Sequence, residues 1–384
     1  MLKAEAVVIG GGIVGASVAF YLTKYDRKVI LLEKEDLACG TSGACTSTIW
    51  IQSKQVNIHL KMALESVKLY DELAEEMSYD IEYRRSGGMI VIEKEEEMEA
   101  YAEFVRRQRS IGLDVELMDI SEARKLQPGL SERLAGSTYS PMDRHVNPFR
   151  VIFGLAHAVK KCGGKVYTGA EVKGVIVKGD RVEGVVTNLG DVEADVVINA
   201  AGVDAAAVGD MVNLKIPIIP VKGQELVTEP VPALLKYPML STGYMALKHP
   251  SYFEDFSARF AGLVAEQTVN GNILLGTTKE RGIRDKNTTV KGIKSIAQEV
   301  AKILPILKGV CVIRTFAGLR PETPDGLPII GIANGLDGFI MACGHGGDGI
   351  ALAPITGKIV AELIAEGRSS IPLDEISYSR FVNS

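Results

Sequence analysis

The sequence predicts an α/β protein in which a parallel sheet covered by helices is interrupted by an α+β domain with a mainly antiparallel sheet. Three observations carry this expectation. The chain opens on strand, helix and strand (Ala4 to Ile9, Ile13 to Lys24, Lys28 to Leu32), which is one βαβ unit. From Ile81 the pattern turns to short β-rich pieces around charged helices. Near the end, a strand at Phe339 to Ala342 and a helix at Ile350 to Ala365 return to the first kind.

Between these landmarks, Asn57 to Met77 reads as a core-packing helix, because Leu60, Ala63, Leu64, Val67, Tyr70, Leu73 and Met77 recur at three and four. Gly88 to Ile92 is β-rich, Glu95 to Gln108 helical and Val115 to Met118 β-like. A helix at Pro148 to Lys161 precedes four β-rich segments, Lys165 to Tyr167, Glu171 to Lys178, Arg181 to Thr187 and Val192 to Asn199, with Gly179-Asp180 supplying a hairpin turn. Gln224 to Val227 and Asn272 to Thr277 are β-rich, and Val290 to Ile303 is helical. The resulting division gives residues 1–80, 143–221 and 312–384 to the first domain, and 81–142 and 222–311 to the second.

A chain of 384 residues is long enough for about two domains. Hydrophobic residues at 46% and charged residues at 24% describe an ordinary globular protein. A net charge of -5 without any basic block argues against nucleic acid as a partner. No apolar run is long enough to cross a bilayer, so no transmembrane segment is expected. Met1 runs straight into the apolar Ala6 to Ile9, leaving no room for a secretory leader. The five cysteines form no C-x-x-C pair and read as free thiols in a reducing compartment, with no metal site. The expected location is cytoplasmic, with attachment to the inner face of a membrane through a partner left open.

Gly10-Gly11-Gly12-Ile13-Val14-Gly15 fits G-x-G-x-x-G between a predicted strand and helix, the Rossmann-type fingerprint for a dinucleotide. Gly10 permits the tight turn, Gly12 lets a pyrophosphate approach the helix amino terminus, and Gly15 lets helix and strand pack closely. Glu33 ends the second strand, where an acid accepts hydrogen bonds from ribose hydroxyls and repels a 2′-phosphate, favouring FAD or NAD. After Glu33 and Lys34 comes a run of small and hydroxyl residues that includes Thr41, Ser42, Gly43, Cys45 and Thr46. Such residues let a ring system lie against backbone amides, which favours a flavin.

Gly344-His345-Gly346-Gly347-Asp348-Gly349 repeats the glycine spacing before a helix that runs on from Ile350. No strand ending in an acid follows it, so a helix amino terminus aimed at the anionic edge of a reduced flavin is the better reading. Arg320, just past Gly318 and before a turn with two prolines, suits bidentate capture of a carboxylate. Pairing of Arg320 with Glu322 or Asp325 is the competing reading.

These motifs, in this order, resemble the D-amino-acid oxidase family, and within it glycine oxidase, sarcosine oxidase and the flavin subunits of proline, hydroxyproline and opine dehydrogenases. The resemblance spans essentially the whole chain. It implies a Rossmann-type FAD-binding domain and a substrate domain. It also implies that Glu33 holds the ribose, that Val172 and Ala200-Ala201-Gly202 line the adenine and pyrophosphate side, and that His345 to Ile350 cover the flavin. Arg320 would bind the substrate carboxylate. Where glycine oxidases carry a substrate-facing tyrosine this chain offers Gly262, so Tyr244 or Tyr252 is expected to supply a hydroxyl. Cys343 precedes the position of the cysteine that attaches flavin in monomeric sarcosine oxidases, so non-covalent FAD is expected. Lys279, at the end of a predicted strand, is a candidate for promoting reaction with oxygen, against its reading as a solvated lysine beside Glu280.

The chemistry so implied is oxidation of the C–N bond of a small amino or imino acid, of glycine, sarcosine, proline, D-amino-acid or opine type, by hydride transfer to flavin N5. The imine then hydrolyses. A neutral amine needs orientation more than a base, so none is nominated, and His345 fits a hydrogen-bonding role better than proton transfer. Oxygen, a quinone or a partner subunit could accept the electrons, in a homo- or hetero-oligomer. Two alternatives stand beside this: a 2-hydroxy-acid or glycerol-phosphate dehydrogenase using FAD, and a flavin subunit without catalysis.

Overall fold

The computed structural model describes residues 2–249 and 260–382. Its first sheet runs, from one edge, through Ile329–Ile332, Phe339–Cys343, Val192–Asn199, Leu2–Ile9, Val29–Leu32 and Lys165–Tyr167, with the Val172–Lys178 and Arg181–Thr187 hairpin attached to Val192–Asn199. Four of these pairings are parallel, while the edge strand Ile329–Ile332 and the two strands of the attached hairpin run against their neighbours. Leu2–Ile9 is central and buried on both faces, which is why Ala6-Val7-Val8 reads as an unbroken apolar run with 0% exposure. One face is covered by the helices Ile13–Lys24, Ile58–Glu76, Pro148–Lys161 and Gly349–Glu366.

Helix starts follow local chemistry. The Asn57 side chain accepts from His59 N, and Asn147, with Pro148 at the first helical position, accepts from Arg150 N. The helix expected from Glu95 is a short 3₁₀ turn followed by an α-helix over Met98–Ser110. No helix among the described residues is long and apolar enough to cross a membrane.

The second sheet is mainly antiparallel, and near one of its edges lies Ile219–Thr228, flanked by Ile273–Thr278 on one side and Val312–Glu322 on the other. Here the boundary expected at residue 312 does not match the sheets. Val312–Glu322 pairs with Ile219–Thr228 over its whole length, from Thr228↔Val312 to Ile219↔Glu322, and so lies in the second sheet. The partner strand is distant in sequence, and no local pattern reveals such a pairing. The chain crosses back to the first sheet only at Ile329–Ile332.

The two sheets meet where the parallel strands end. Ile9 aligns with Leu32 and Asn199, so Gly10, Glu33 and Ala200 stand together just beyond the strand ends. In open α/β sheets that edge is where ligands bind. Gly10 adopts φ +112°, and a Cβ on Gly15 would stand 1.9 Å from the Gly10 carbonyl oxygen, so the turn and the helix packing both require glycine.

Candidate active site

A cleft of about 470 Å³ starts at this edge and runs to the face of the second sheet. Gly10, Gly12, Ile13 and Val14 line its near end, with Glu33, Lys34 and Ala200-Ala201-Gly202 beside them. The Glu33 carboxylate is held by Gly11 N (2.6 Å) and Glu35 N (2.9 Å), while Lys34 pairs with Asp204 at 2.8 Å. Gly15 and Gly43 do not line the cleft but pack closely: a Cβ on Gly43 would meet the Ala38 carbonyl oxygen at 2.1 Å. Val172 is also off the cleft, buried in the core on one face of the first sheet.

Thr41, Ser42, Cys45 and Thr46 form the next stretch of wall. Ser42 Oγ accepts from Ile13 N (3.1 Å) at the helix start, and Thr41 Oγ1 donates to the Leu319 carbonyl (2.6 Å), tying this wall to the second sheet. A Cβ on Gly318 would stand 2.4 Å from the Ala44 carbonyl oxygen, so the two segments touch through backbone. A bare backbone turn at a helix start, an acid at the ribose position and a wall of small residues fit the adenosine diphosphate and ring of FAD. Glu33→Ala is expected to weaken FAD binding by roughly 1 to 3 kcal/mol, the loss of charge-assisted hydrogen bonds. Titration of the apoprotein with FAD checks this, and unchanged affinity would remove Glu33 from the site.

At the far end, Arg320 projects over Gly223. A Cβ there would stand 2.3 Å from one terminal guanidinium nitrogen and 2.6 Å from the other. The guanidinium is held by neutral acceptors, Thr277 Oγ1 at 2.9 Å and the Thr278 carbonyl at 3.4 Å. Neither expected acid pairs with it. Glu322 faces Lys279 (3.0 Å) and Arg281 (3.2 Å), and Asp325 faces Arg380 (2.7 Å). Among the described residues no carboxylate makes an ion pair with Arg320, and its guanidinium lines the cleft.

Tyr244, on the short helix Thr242–Lys248, lines the cleft near Gly347. A Cβ on Gly262 would meet Tyr244 N at 2.4 Å, so the glycine admits that helix against the sheet. Burial pushes the Tyr244 phenol up to about 12, with Arg320 pulling the other way, so it is a neutral donor. Tyr252 lies outside the described residues.

The loop Gly344 to Ile350 closes one side. His345 Nε2 meets Thr356 Oγ1 at 2.9 Å, and burial pushes the imidazole down to about 4, so it is neutral and engaged structurally. Lys279 is absent from this cleft. It lines an adjoining cavity of about 270 Å³, donating to the Leu247 carbonyl and pairing with Glu322. It is neither solvated nor unpaired, because its strand end turns toward Glu322, which ends the strand on the far side of Ile219–Thr228.

The structure also assembles residues that no motif pointed to. Lys54, with 0% side-chain exposure, and Lys248 both donate to Asp348 Oδ1, at 2.6 and 2.8 Å. His59 Nε2 lies 3.4 Å from the other oxygen. Burial opposes ionisation of Asp348, but Lys248 and Lys54 outweigh it and hold the carboxyl well below the usual range. Burial pushes Lys54 down to about 8 against the pull of Asp348, and drives His59 well below its usual value. Both lysines line the cleft. Glu225, buried on Ile219–Thr228, lines it as well.

The profile of a family described as FAD dependent oxidoreductase (DAO) matches residues 5–363. Hydrogen cyanide synthase subunit HcnC of Pseudomonas protegens is 32% identical, the alignment covering 96% of this chain and 94% of that protein. Glycine oxidase of Geobacillus kaustophilus is 29% identical over 98% of this chain and 97% of that protein. The crystal structure of L-proline dehydrogenase from P. horikoshii superposes with a TM-score of 0.91 at 28% identity, covering 100% of this chain and 98% of that one.

Proposed function

Since the chain belongs to the DAO family of FAD-dependent oxidoreductases, we propose that it oxidises the C–N bond of a small amino or imino acid bearing a carboxylate next to the reacting carbon. The observation that carries this reading is Arg320, laid over Gly223 at the far end of the cleft and ion-paired with no carboxylate among the described residues.

In this reading FAD, when bound, supplies the two-electron oxidant. Gly10, Gly12 and Glu33 hold the adenosine diphosphate, and the wall from Thr41 to Thr46, Gly318 and the Gly344 to Ile350 loop hold the ring. The binding is non-covalent, which is supported by the state of Cys45 and Cys343, the two of the three cleft-lining thiols that are not exposed: burial pushes Cys343 up to about 12 and Cys45 up as well, so neither is a thiolate. Arg320 grips the substrate carboxylate with its terminal nitrogens and fixes the direction of the reacting carbon. Tyr244 offers a neutral hydroxyl. His345 stays neutral and holds its loop to the helix Gly349–Glu366. Water then hydrolyses the released imine.

Relatives bearing the names glycine oxidase and L-proline dehydrogenase support the substrate class, and one named as a synthase subunit supports a hetero-oligomer. The decisive test is anaerobic bleaching of the holoenzyme with glycine, sarcosine, both prolines, hydroxyprolines, D-amino acids and opines. At least one is expected to bleach the flavin, whereas amines of the same size lacking a carboxylate should not. Equal bleaching by the carboxylate-free amines would overturn the reading.

A further inference from the structure

We propose that Glu225 recognises the substrate nitrogen, accepting a hydrogen bond from it and, whenever Glu225 is ionised, the proton that an ammonium group gives up before oxidation. This rests on the reading of Arg320 as the carboxylate site. Along a strand, alternate residues share a face. On Ile219–Thr228 this places Val221, Gly223 and Glu225 on one face, and register places Arg320 opposite Val221 and Gly318 opposite Gly223. A guanidinium over Gly223 and a carboxyl two residues on, roughly 7 Å along the strand, thus flank a floor made of two glycines. The neighbour on the other side is also a glycine: Gly276 pairs with Glu225, and a Cβ there would stand 3.1 Å from Glu225 Cγ. Each charged side chain therefore lies flat over a residue without one.

Glu225 has 4% exposure, lines the cleft, and its Oε2 has no hydrogen-bond partner among the described residues. A buried carboxyl left so is costly unless something supplies a donor. None of the described neighbours donates to Oε2. Glu266, on Ala261–Gln267, is an acceptor already served by Ser47 N and Thr48 Oγ1, both at 2.6 Å. Arg320 is the cation that acts on Glu225 most strongly, Cys45 is a buried thiol and Tyr244 a neutral phenol. An amino acid whose carboxylate sits on Arg320 would bring its nitrogen to the missing position. Burial, reinforced by Glu266 and opposed by Arg320, raises the Glu225 carboxyl to about 8. Near neutrality the free site therefore holds a neutral acid. Proton transfer balances as R–NH₃⁺ plus Glu225 carboxylate giving R–NH₂ plus Glu225 carboxylic acid, and the amine lone pair becomes available.

The sign of the linkage follows. Below the raised value the acid already carries its proton, so binding an ammonium ligand as amine expels about one proton to solvent. Above it the carboxylate takes that proton and expulsion fades toward zero. The test uses the FAD-loaded protein with 2-aminoisobutyrate, which has no hydrogen on the reacting carbon and cannot be oxidised there, beside its nitrogen-free counterpart pivalate. Calorimetry in buffers of differing ionisation enthalpy should show proton release of about one at pH 6.5, fading by pH 9, for 2-aminoisobutyrate and none for pivalate. In Glu225→Gln, pivalate affinity should stay within about twofold, while 2-aminoisobutyrate weakens by at least about tenfold and its proton release vanishes. Equal weakening of both ligands, or retained release, overturns the proposal. Should Glu225→Gln not fold, the parent decides: equal proton release with the two ligands, or no preference for the nitrogen-bearing one, overturns it. Nitrogen-dependent release from a parent that no amino acid bleaches would leave Glu225 in place and sink the oxidation reading. Bleaching without release would sink this proposal alone.

Discussion

Arg320→Met is expected to leave FAD bound and to raise the substrate concentration for half-maximal flavin reduction at least ~100-fold, roughly the 3 kcal/mol set free when a carboxylate loses its buried partner. The size of the effect follows from the setting. The guanidinium is held by Thr277 and Thr278, which are neutral, so its charge is not already spent on Glu322 or Asp325. Methionine fills the space without charge and leaves the substrate anion facing an apolar wall. Gly223→Ala should reproduce much of the defect without touching the arginine, because the new Cβ would occupy space 2.3 Å from a guanidinium nitrogen. Anaerobic stopped-flow reduction separates affinity from rate in both variants. An unchanged half-saturation in Arg320→Met would make the arginine structural.

Asp348→Asn is the second large expectation, and its readout is stability. The carboxylate receives two ammonium groups, one of them with no exposure at all, so an amide leaves two buried cations beside each other. Breaking such a cluster by removing one partner costs about 3 to 5 kcal/mol. Urea unfolding of the holoenzyme should show this as a lower midpoint, and adding Lys54→Met should restore part of it. The pH dependence has a definite sign. The folded carboxyl titrates well below its unfolded value, so its contribution is complete above about pH 4 and fades as pH falls toward the depressed value. The gap between parent and Asp348→Asn should therefore narrow in acid. Equal midpoints at neutral pH would show that Asp348 does not hold the lysines.

What could be read in the sequence was what is local. The turn Gly10 to Gly15 and the acid at Glu33 announce themselves because glycines, strand and helix follow one another directly. Arg320 stands out within its short motif, but whether Glu322 or Asp325 would neutralise it depends on which way strand residues face, and on Lys279 and Arg380 arriving from elsewhere. The triad of Lys54, Lys248 and Asp348 comes from three distant segments. Lys54 sits in Gln52-Ser53-Lys54-Gln55, a stretch indistinguishable from a solvated loop. Glu225 is hidden for another reason. Its strand is covered on both faces, Gln224 lying against Gly292 of the helix Val290–Ile303 and Glu225 facing the cleft, so both are buried and the usual alternation that would flag one of them is gone. The displaced boundary at residue 312 has the same origin as these omissions, since strand pairing across the chain leaves no local trace.

The late return of the chain to the first sheet bears on how the molecule is made. Phe339–Cys343 lies beside Val192–Asn199, and the helix Gly349–Glu366 packs on Ile13–Lys24. During synthesis, then, the amino-terminal half emerges with a central strand edge open and a helix face uncovered. Both wait for Phe339–Cys343 and Gly349–Glu366, which follow much later in the chain. Until those arrive, the unpaired edge offers its backbone groups to any neighbouring strand. The cleft that the early glycine turn opens gains its other wall only when the Gly344 to Ile350 loop is made.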